Sequence, residues 1–218
     1  MPITGLSFLL FALAAVMLYY LFPKRLRQYV LLAASILFYL TYGVRMAGYL
    51  AATILLTYLF GLWLDRLAAF RPAAETKEER KRQKRANDRK KRRVLALSLV
   101  LNFASLALLK YGGFLASSVN AVLGTELPLP HFLLPLGISF YIFQTSAYLI
   151  DISRGKHRAE RGFLRYALFV CYFQQLVQGP INRFADLQPQ LTEGNDFSWD
   201  NIQHGFLRML YGLSLIHI

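Results

Sequence analysis

Long apolar runs alternate with short basic segments along most of this chain. The apolar runs cover residues 6–22, about 29–44, 47–70, 94–114 and 132–150. A helix that crosses a bilayer needs about 20 mostly apolar residues, so each run predicts a membrane span. The pattern therefore predicts an all-α fold, a polytopic membrane helix bundle.

The run at 133–151 also carries polar side chains. Tyr141, Gln144, Tyr148 and Asp151 follow one another at spacings of three and four, so a helix places them on one face. A polar face at membrane depth needs a polar partner. This stretch therefore predicts contact with another polar segment.

The segment at 163–183 is the candidate partner. It carries a row of amides, a helix breaker and two polar residues after the breaker: Gln174, Gln175, Gln178, Gly179-Pro180, Asn182 and Arg183. Residues 163–178 predict a helix of about 16 residues, which is short for a span and favours a tilted or re-entrant element. Non-helical backbone at membrane depth requires protein or a water-filled cavity around it, so the break predicts an internal passage. The alternative is that the amides only join neighbouring helices.

The candidate residues for lining this passage come from both stretches: Tyr141, Gln144, Tyr148, Asp151, Gln175, Gln178, Asn182 and Arg183. Arg183 is the candidate for contacting a phosphate or carboxylate, because a guanidinium group offers two fixed donors to such a group. The alternative is that Arg183 binds Asp186 or a backbone carbonyl.

The formal net charge of +13 at pH 7 is concentrated between the apolar runs, above all in residues 71–93. Basic residues remain on the cytoplasmic side of a membrane. We therefore predict that 71–93 is a cytoplasmic loop or solvated helix, that the amino terminus is outside, and that the partners are membrane lipids, with no nucleic acid. A second basic cluster at 154–158 gives the same orientation.

Cysteine and histidine are sparse. Cys171 is the single cysteine, so no disulfide forms within the chain. His131, His157, His204 and His217 do not share a metal-binding spacing. The sequence predicts no metal site and no bound cofactor.

Three phrases in order, PLGISFYIFQTSAYLIDISRG, YALFVCYFQQLVQGPINRF and DLQPQL, resemble the membrane-bound O-acyltransferase family, in particular its bacterial alginate O-acetyltransferase-like branch. The resemblance implies a multi-pass protein of the bacterial inner membrane. It also implies acyl transfer from a thioester co-substrate, acetyl-CoA or acyl carrier protein, to hydroxyls of an exported polysaccharide or to a periplasmic or extracellular acetyl-relay protein. A close variant of the family moves D-alanine to teichoic acid.

The family's expected general base is a histidine deep in the tunnel, because imidazole titrates near neutrality. In the family this histidine lies downstream of the last residue here. We therefore expect residues 1–213 to be the amino-terminal part of such a domain, incomplete at the C-terminus, with residues 214–218 a doubtful tail. We expect no catalytic residue in this chain. The alternative functions are a small membrane channel or transporter, and a scaffold whose basic loop recruits an acidic partner.

Overall fold

A computed structural model describes residues 6–72, 76–124, 134–176, 179 and 181–217. All regular secondary structure in these residues is helical, which confirms the predicted all-α class. The helices are α1 (Leu6–Leu21), α2 (Lys24–Leu40), α3 (Val44–Ala68), α4 (Lys77–Leu123), α5 (Ile138–Ser153), α6 (Phe163–Cys171), α7 (Phe173–Leu176), α8 (Phe184–Thr192) and α9 (Trp199–His217).

Two of these helices, α3 and α4, are long and apolar enough to cross a membrane. Only 28% and 17% of their most apolar windows are buried inside the structure. The core helix of a water-soluble protein would be mostly buried, so these exposed apolar surfaces are suited to lipid. The chain is a membrane protein. Helices α1 and α5, at 16 residues each, are shorter than the predicted spans, whereas α2 has 17 residues and begins before its predicted span, at Lys24.

Helix α4 differs most from the prediction. It continues for 47 residues and joins the basic run and the following apolar run in one element. The part of the basic run that lies in α4, residues 77–93, is rich in Lys and Arg, which are good helix formers, and contains neither Gly nor Pro. At the other end the helix extends to Leu123 and is capped by Gly124, which adopts a left-handed conformation with φ of 63°.

Helix α5 is the centre of the bundle, in contact with α3, α4 and α6. Ile142, Leu149 and Ile152 on this helix are fully buried. Gly61 lets α3 approach closely, because a Cβ atom at this position would lie 3.0 Å from Cε1 of Tyr148. Other helices therefore cover most of the polar face that the sequence predicts for α5.

The structure corrects the helix predicted for 163–178. Helix α6 ends at Cys171, and Tyr172 has an extended ψ of 116° before the short helix α7 begins. The helical path is thus interrupted several residues before the Gly-Pro step. The segment that follows Arg183 contains helix α8, which buries Phe184, Leu187 and Leu191.

Gly137 brings α5 into direct contact with α7. Its φ is +70°, and a Cβ atom there would overlap the Leu176 carbonyl oxygen. We predict that Gly137→Ala lowers the unfolding temperature of the protein in detergent. The left-handed conformation alone costs a non-glycine residue about 1–2 kcal/mol, and overpacking adds about 1–3 kcal/mol.

The matched control is Gly155→Ala. Gly155 has nearly the same φ of +71°, but a Cβ atom at this position meets nothing within 4 Å. The difference between the two variants therefore measures the contact with Leu176. Equal losses of stability in both variants would show that this contact is not tight.

Candidate functional site

Side chains of other helices bond to backbone groups that the interruption between α6 and α7 leaves without a helical partner. In a continuous α-helix the Phe173 N–H would donate to the Phe169 carbonyl. Here Phe173 N–H donates to Oγ of Ser35 on α2 at 3.2 Å, and the Phe169 carbonyl accepts from Nε2 of Gln144 on α5 at 3.0 Å. Ser35 and Gln144 are both buried. Two side chains thus replace one missing helical bond.

Gln144 also joins the two polar stretches to each other. Its Nε2 donates to Oε1 of Gln175 at 3.2 Å. An amide NH2 group has two donors, and the Phe169 carbonyl and Gln175 use both. Gln175 is itself buried, and its Nε2 makes no hydrogen bond with a described residue. The Gln175 amide is thus a buried polar group with one hydrogen-bonding atom still unpaired among the described residues.

The backbone around Gln175 folds tightly. Gly179 N–H donates to the Gln175 carbonyl at 3.1 Å, and a Cβ atom on Gly179 would lie 2.7 Å from the Gln175 Cα. On the other side, Tyr39 of α2 donates its hydroxyl to the Leu136 carbonyl at 2.9 Å, next to Gly137. Helices α2, α5 and α7 are therefore fixed together at the amide pair.

A cavity of about 710 Å³ leads to this pair. It lies between α1, α8, the start of α9 and the α6–α7 break. Amide, hydroxyl and aromatic side chains dominate its polar lining: Tyr19, Tyr20, Tyr172, Gln174, Gln175, Asn182, Gln190, Asn195, Ser198 and Asn201. No charged side chain is among the described residues that line it. The rest of the lining is apolar, so the cavity offers uncharged hydrogen-bonding groups among apolar side chains.

The segment that borders the cavity between α8 and α9 is tied to the α1–α2 corner. Lys24 pairs with Asp196 at 2.7 Å, and Arg27 donates to the Asn195 carbonyl at 2.6 Å. The Arg27 guanidinium also lies over the rings of Tyr19 and Tyr20, at 5.1 and 5.2 Å from their centroids. The hydrogen bond and charge of Lys24 lower the pKa of the exposed Asp196 carboxyl. These contacts hold one rim of the cavity.

The structure places only some of the predicted residues at this cavity. Gln175 and Asn182 line it, and Gln144 holds Gln175 in place. Tyr141 and Tyr148 are buried elsewhere in the bundle. The Tyr141 hydroxyl lies in the bundle interior without a hydrogen bond to a described residue.

Tyr148 is a packing centre and not a wall of the cavity. Its hydroxyl accepts the Glu160 N–H at 3.0 Å, and its ring packs against His157, Tyr166 and Phe184. Helices α6 and α8 cover this end of α5, so the polar atom of Tyr148 bonds to protein. The role of this face in lining a passage stays a prediction.

The remaining predicted residues lie away from the cavity lining. Asp151 pairs with Lys156 at 3.0 Å near the end of α5. Arg183 is exposed, and its side chain binds neither Asp186 nor another described residue. Gln178 lies outside the described residues. The role of Arg183 as a phosphate or carboxylate contact stays a prediction.

The sequence reasoning missed the contribution of α1 and of the segment after α8. Tyr19 and Tyr20 end an apolar run and look like interfacial aromatics, so nothing in the run itself indicates a cavity. Gln190, Asn195 and Asn201 lie in a polar segment whose composition predicts a surface location. The density of amides between residues 188 and 201 was the available signal.

The side chains of His157 and His204 are not part of the cavity lining. His157 packs between Tyr148 and Phe184, and its Nδ1 is 3.0 Å from the Arg158 carbonyl oxygen. His204 is exposed, with Nδ1 2.7 Å from the Asp200 carbonyl oxygen. The described residues contain no group of three or more His, Cys, Asp or Glu side chains that could hold a metal ion.

Comparison with known proteins identifies similar chains. The chain is 33% identical over 199 residues to a probable alginate O-acetylase of Azotobacter vinelandii. The aligned region covers 89% of this chain and 36% of that protein. A probable alginate O-acetylase of Pseudomonas putida is 34% identical over 89% of this chain and 37% of its own length. A peptidoglycan O-acetyltransferase of Helicobacter pylori is 29% identical over 88% of this chain and 37% of its own length.

These similarities confirm the resemblance to the alginate O-acetyltransferase-like proteins. The chain spans little more than a third of the length of the curated relatives it matches, 36% in the case of the Azotobacter vinelandii protein. No protein-family model matches the chain, and no solved structure matches it either.

The amide pair generates a prediction on stability. Gln144→Leu should destabilise the protein by about 1–3 kcal/mol, because it leaves the buried Phe169 carbonyl and the Gln175 amide oxygen without a donor. Gln175→Leu should cost less, since Gln144 keeps its bond to Phe169. Unfolding in mixed micelles measures both variants.

The double variant, with Leu at both positions, measures the interaction between Gln144 and Gln175 separately from the contacts that each makes elsewhere. We expect the two changes to be non-additive by about 0.6 kcal/mol or more, the size of a hydrogen bond between membrane helices. Gln174→Leu is the matched control, because Gln174 is exposed and bonds only to Tyr172. Strict additivity of the two changes would contradict the observed bond between Gln144 and Gln175.

Proposed function

We propose that this chain is part of a membrane O-acyltransferase that passes an acetyl group from a thioester donor to hydroxyl groups of an exported polysaccharide. The observation that carries the proposal is the uncharged, amide-lined cavity that leads to the interrupted helix α6–α7. The similarity to proteins named alginate O-acetylase and peptidoglycan O-acetyltransferase supports the acyl group and the acceptor class.

The lining suits the part of the donor that must enter the membrane. Acetyl-CoA and acetylated acyl carrier protein present the acetyl group on the same flexible arm, which contains two amide groups and no charge near the thioester. Side-chain amides such as those of Gln175 and Asn182 both donate and accept hydrogen bonds, so they match such an arm. The charged head of the donor would remain outside the cavity.

The same lining favours acetyl over D-alanyl transfer. A D-alanyl thioester carries an ammonium group next to the reacting carbonyl. Burying that charge without a partner is costly, and no carboxylate is among the described residues that line the cavity. An acetyl group brings no such charge.

The chemistry requires a base that removes the proton from the acceptor hydroxyl as its oxygen attacks the thioester carbonyl. The C–S bond then breaks, and the thiolate leaves and takes up a proton. We propose that this base is a histidine, as the resemblance to the O-acyltransferase family implies, because imidazole titrates near neutrality. In this proposal Gln144 and Gln175 position the donor arm and do not take part in proton transfer.

The proposed direction of transfer follows from the charge pattern. The basic run at 71–93 predicts a cytoplasmic location for that end of the bundle. Lys24 and Arg27 border the cavity at the corner between α1 and α2, and the same pattern predicts that this corner is cytoplasmic too. We propose that the donor enters there, in the inner membrane of a bacterium with the amino terminus outside, and that the acetyl group leaves toward an acceptor or relay protein on the opposite side.

A protection experiment tests donor binding. In a Cys171→Ala background, Asn182→Cys places a thiol in the cavity lining, and a small thiol reagent should modify it. We expect acetyl-CoA to slow this modification several-fold, because the donor arm occupies the space around residue 182.

Ile181→Cys is the matched control. Ile181 is the adjacent residue, but its side chain is 51% exposed and is not part of the cavity lining. Its modification should not respond to acetyl-CoA. Equal protection at both positions, or no protection at either, would contradict donor binding in this cavity.

A further inference from the structure

The long helix α4 has two opposite sides with different surroundings. One side packs on the bundle along a continuous row of half-buried and buried residues at spacings of three and four: Asn87, Lys91, Val94, Ser98, Asn102 and Leu106. Asn87 fixes the position of this row, because its Nδ2 donates to the Leu67 carbonyl near the end of α3 at 2.7 Å. The packed side therefore extends from the apolar part of α4 into its basic part.

The side opposite this row carries four exposed arginines, which we call the arginine stripe: Arg82, Arg85, Arg89 and Arg93. Their spacings of three, four and four place them on one face of the helix. None of the four makes a hydrogen bond or ion pair with a described residue. Glu78, one turn before the stripe, is the acidic residue on this face. The four guanidinium groups are thus held in a row and are free to bind another molecule.

The arginine stripe continues directly into a surface for lipid. Ala96, Val100 and Phe103 extend the same face at spacings of three and four, and all three are exposed, Val100 at 63% and Phe103 at 38%. In a membrane an exposed apolar face of this kind contacts acyl chains. The neighbours of the stripe along the helix axis are therefore the headgroups of the same lipids.

The position of the arginine stripe along the axis of α4 also indicates that it lies next to lipid headgroups. The Asn87 bond places Arg85 and Arg89, on the opposite face of α4, at the same level along the helix axis as the charged end of α3, which contains Asp65 and Arg66. Charged residues at the end of an apolar span lie at the headgroup layer. The middle of the arginine stripe is therefore at the depth of lipid phosphates.

We propose that the arginine stripe is a binding site for the phosphate groups of anionic phospholipids. Guanidinium groups bind phosphate oxygens through two parallel hydrogen bonds. A rigid helix holds the four groups in place, so they do not have to be ordered when lipid binds. This differs from a general attraction of basic residues to a membrane, because it depends on which face of α4 carries the charge.

The test compares two sets of substitutions with the same change of charge. Arg85→Gln, Arg89→Gln and Arg93→Gln remove three members of the stripe. Lys77→Gln, Lys84→Gln and Lys90→Gln remove three exposed cations that lie outside the stripe on the same helix, and together they are called the flank variant. The affinity for phosphatidylglycerol is measured by native mass spectrometry of the full chain in detergent, titrated with this lipid and with phosphatidylcholine.

We expect the stripe variant to bind phosphatidylglycerol at least about tenfold more weakly, whereas the flank variant changes less than about threefold. Binding of phosphatidylcholine should be equal in all three proteins. Thermal unfolding checks that the variants remain folded, and an Arg→Lys version of the stripe variant should recover part of the binding, because the charge returns without the paired donors.

Three results would overturn the proposal. Equal weakening in the stripe and flank variants would show that only net charge matters. Unchanged binding in the stripe variant would show that the lipids bind elsewhere. Tight binding of a single-stranded RNA or of a purified acyl carrier protein in phosphatidylcholine nanodiscs, lost in the stripe variant, would assign the stripe to a soluble partner.

Discussion

The site depends on one constraint: the backbone groups that lose their helical hydrogen bond where α6 ends must find other partners. Interrupting a helix inside a membrane protein frees carbonyls before the break and amides after it, and each unsatisfied group costs several kcal/mol in hydrocarbon. Gln144 satisfies the Phe169 carbonyl, and Ser35 satisfies the Phe173 amide. The Ser35 hydroxyl also donates to the Leu31 carbonyl at 2.7 Å, so its proton is engaged and its oxygen is oriented as an acceptor. The break is therefore a stable part of the fold.

This arrangement explains why amides are concentrated around the break. Once α6 has ended, α7 can turn the Gln175 side chain toward Gln144 and toward the cavity, which a continuous helix would not allow at the same position. The cavity itself needs parts of the chain that are far apart in sequence, from Tyr19 on α1 to Asn201 on α9. An acyl donor that binds there would contact elements whose relative positions depend on the bonds at the break.

The helical class, the membrane location and the meeting of the two polar stretches could be predicted from the sequence, because long apolar runs form membrane helices and amides within such runs need polar partners. The position of the helix break could not. The Gly-Pro step favours a later break, but Ser35, from a distant helix, captures the Phe173 amide earlier. Helical spacing places Tyr148 on the polar face of α5, but it does not show what covers that face. The cavity wall from α1 could not be predicted either, since its tyrosines become neighbours of Asn195 only through tertiary packing.

Hydrogen exchange at the Phe173 amide tests the central claim most directly. The amide lies next to a helix break and would exchange quickly if nothing accepted its hydrogen bond. We predict that it is protected in the native protein and that Ser35→Ala greatly increases its exchange rate, together with the rates of α7, while the middle of α3 remains protected. Rapid exchange at Phe173 in the native protein, or an unchanged rate in Ser35→Ala, would contradict the account.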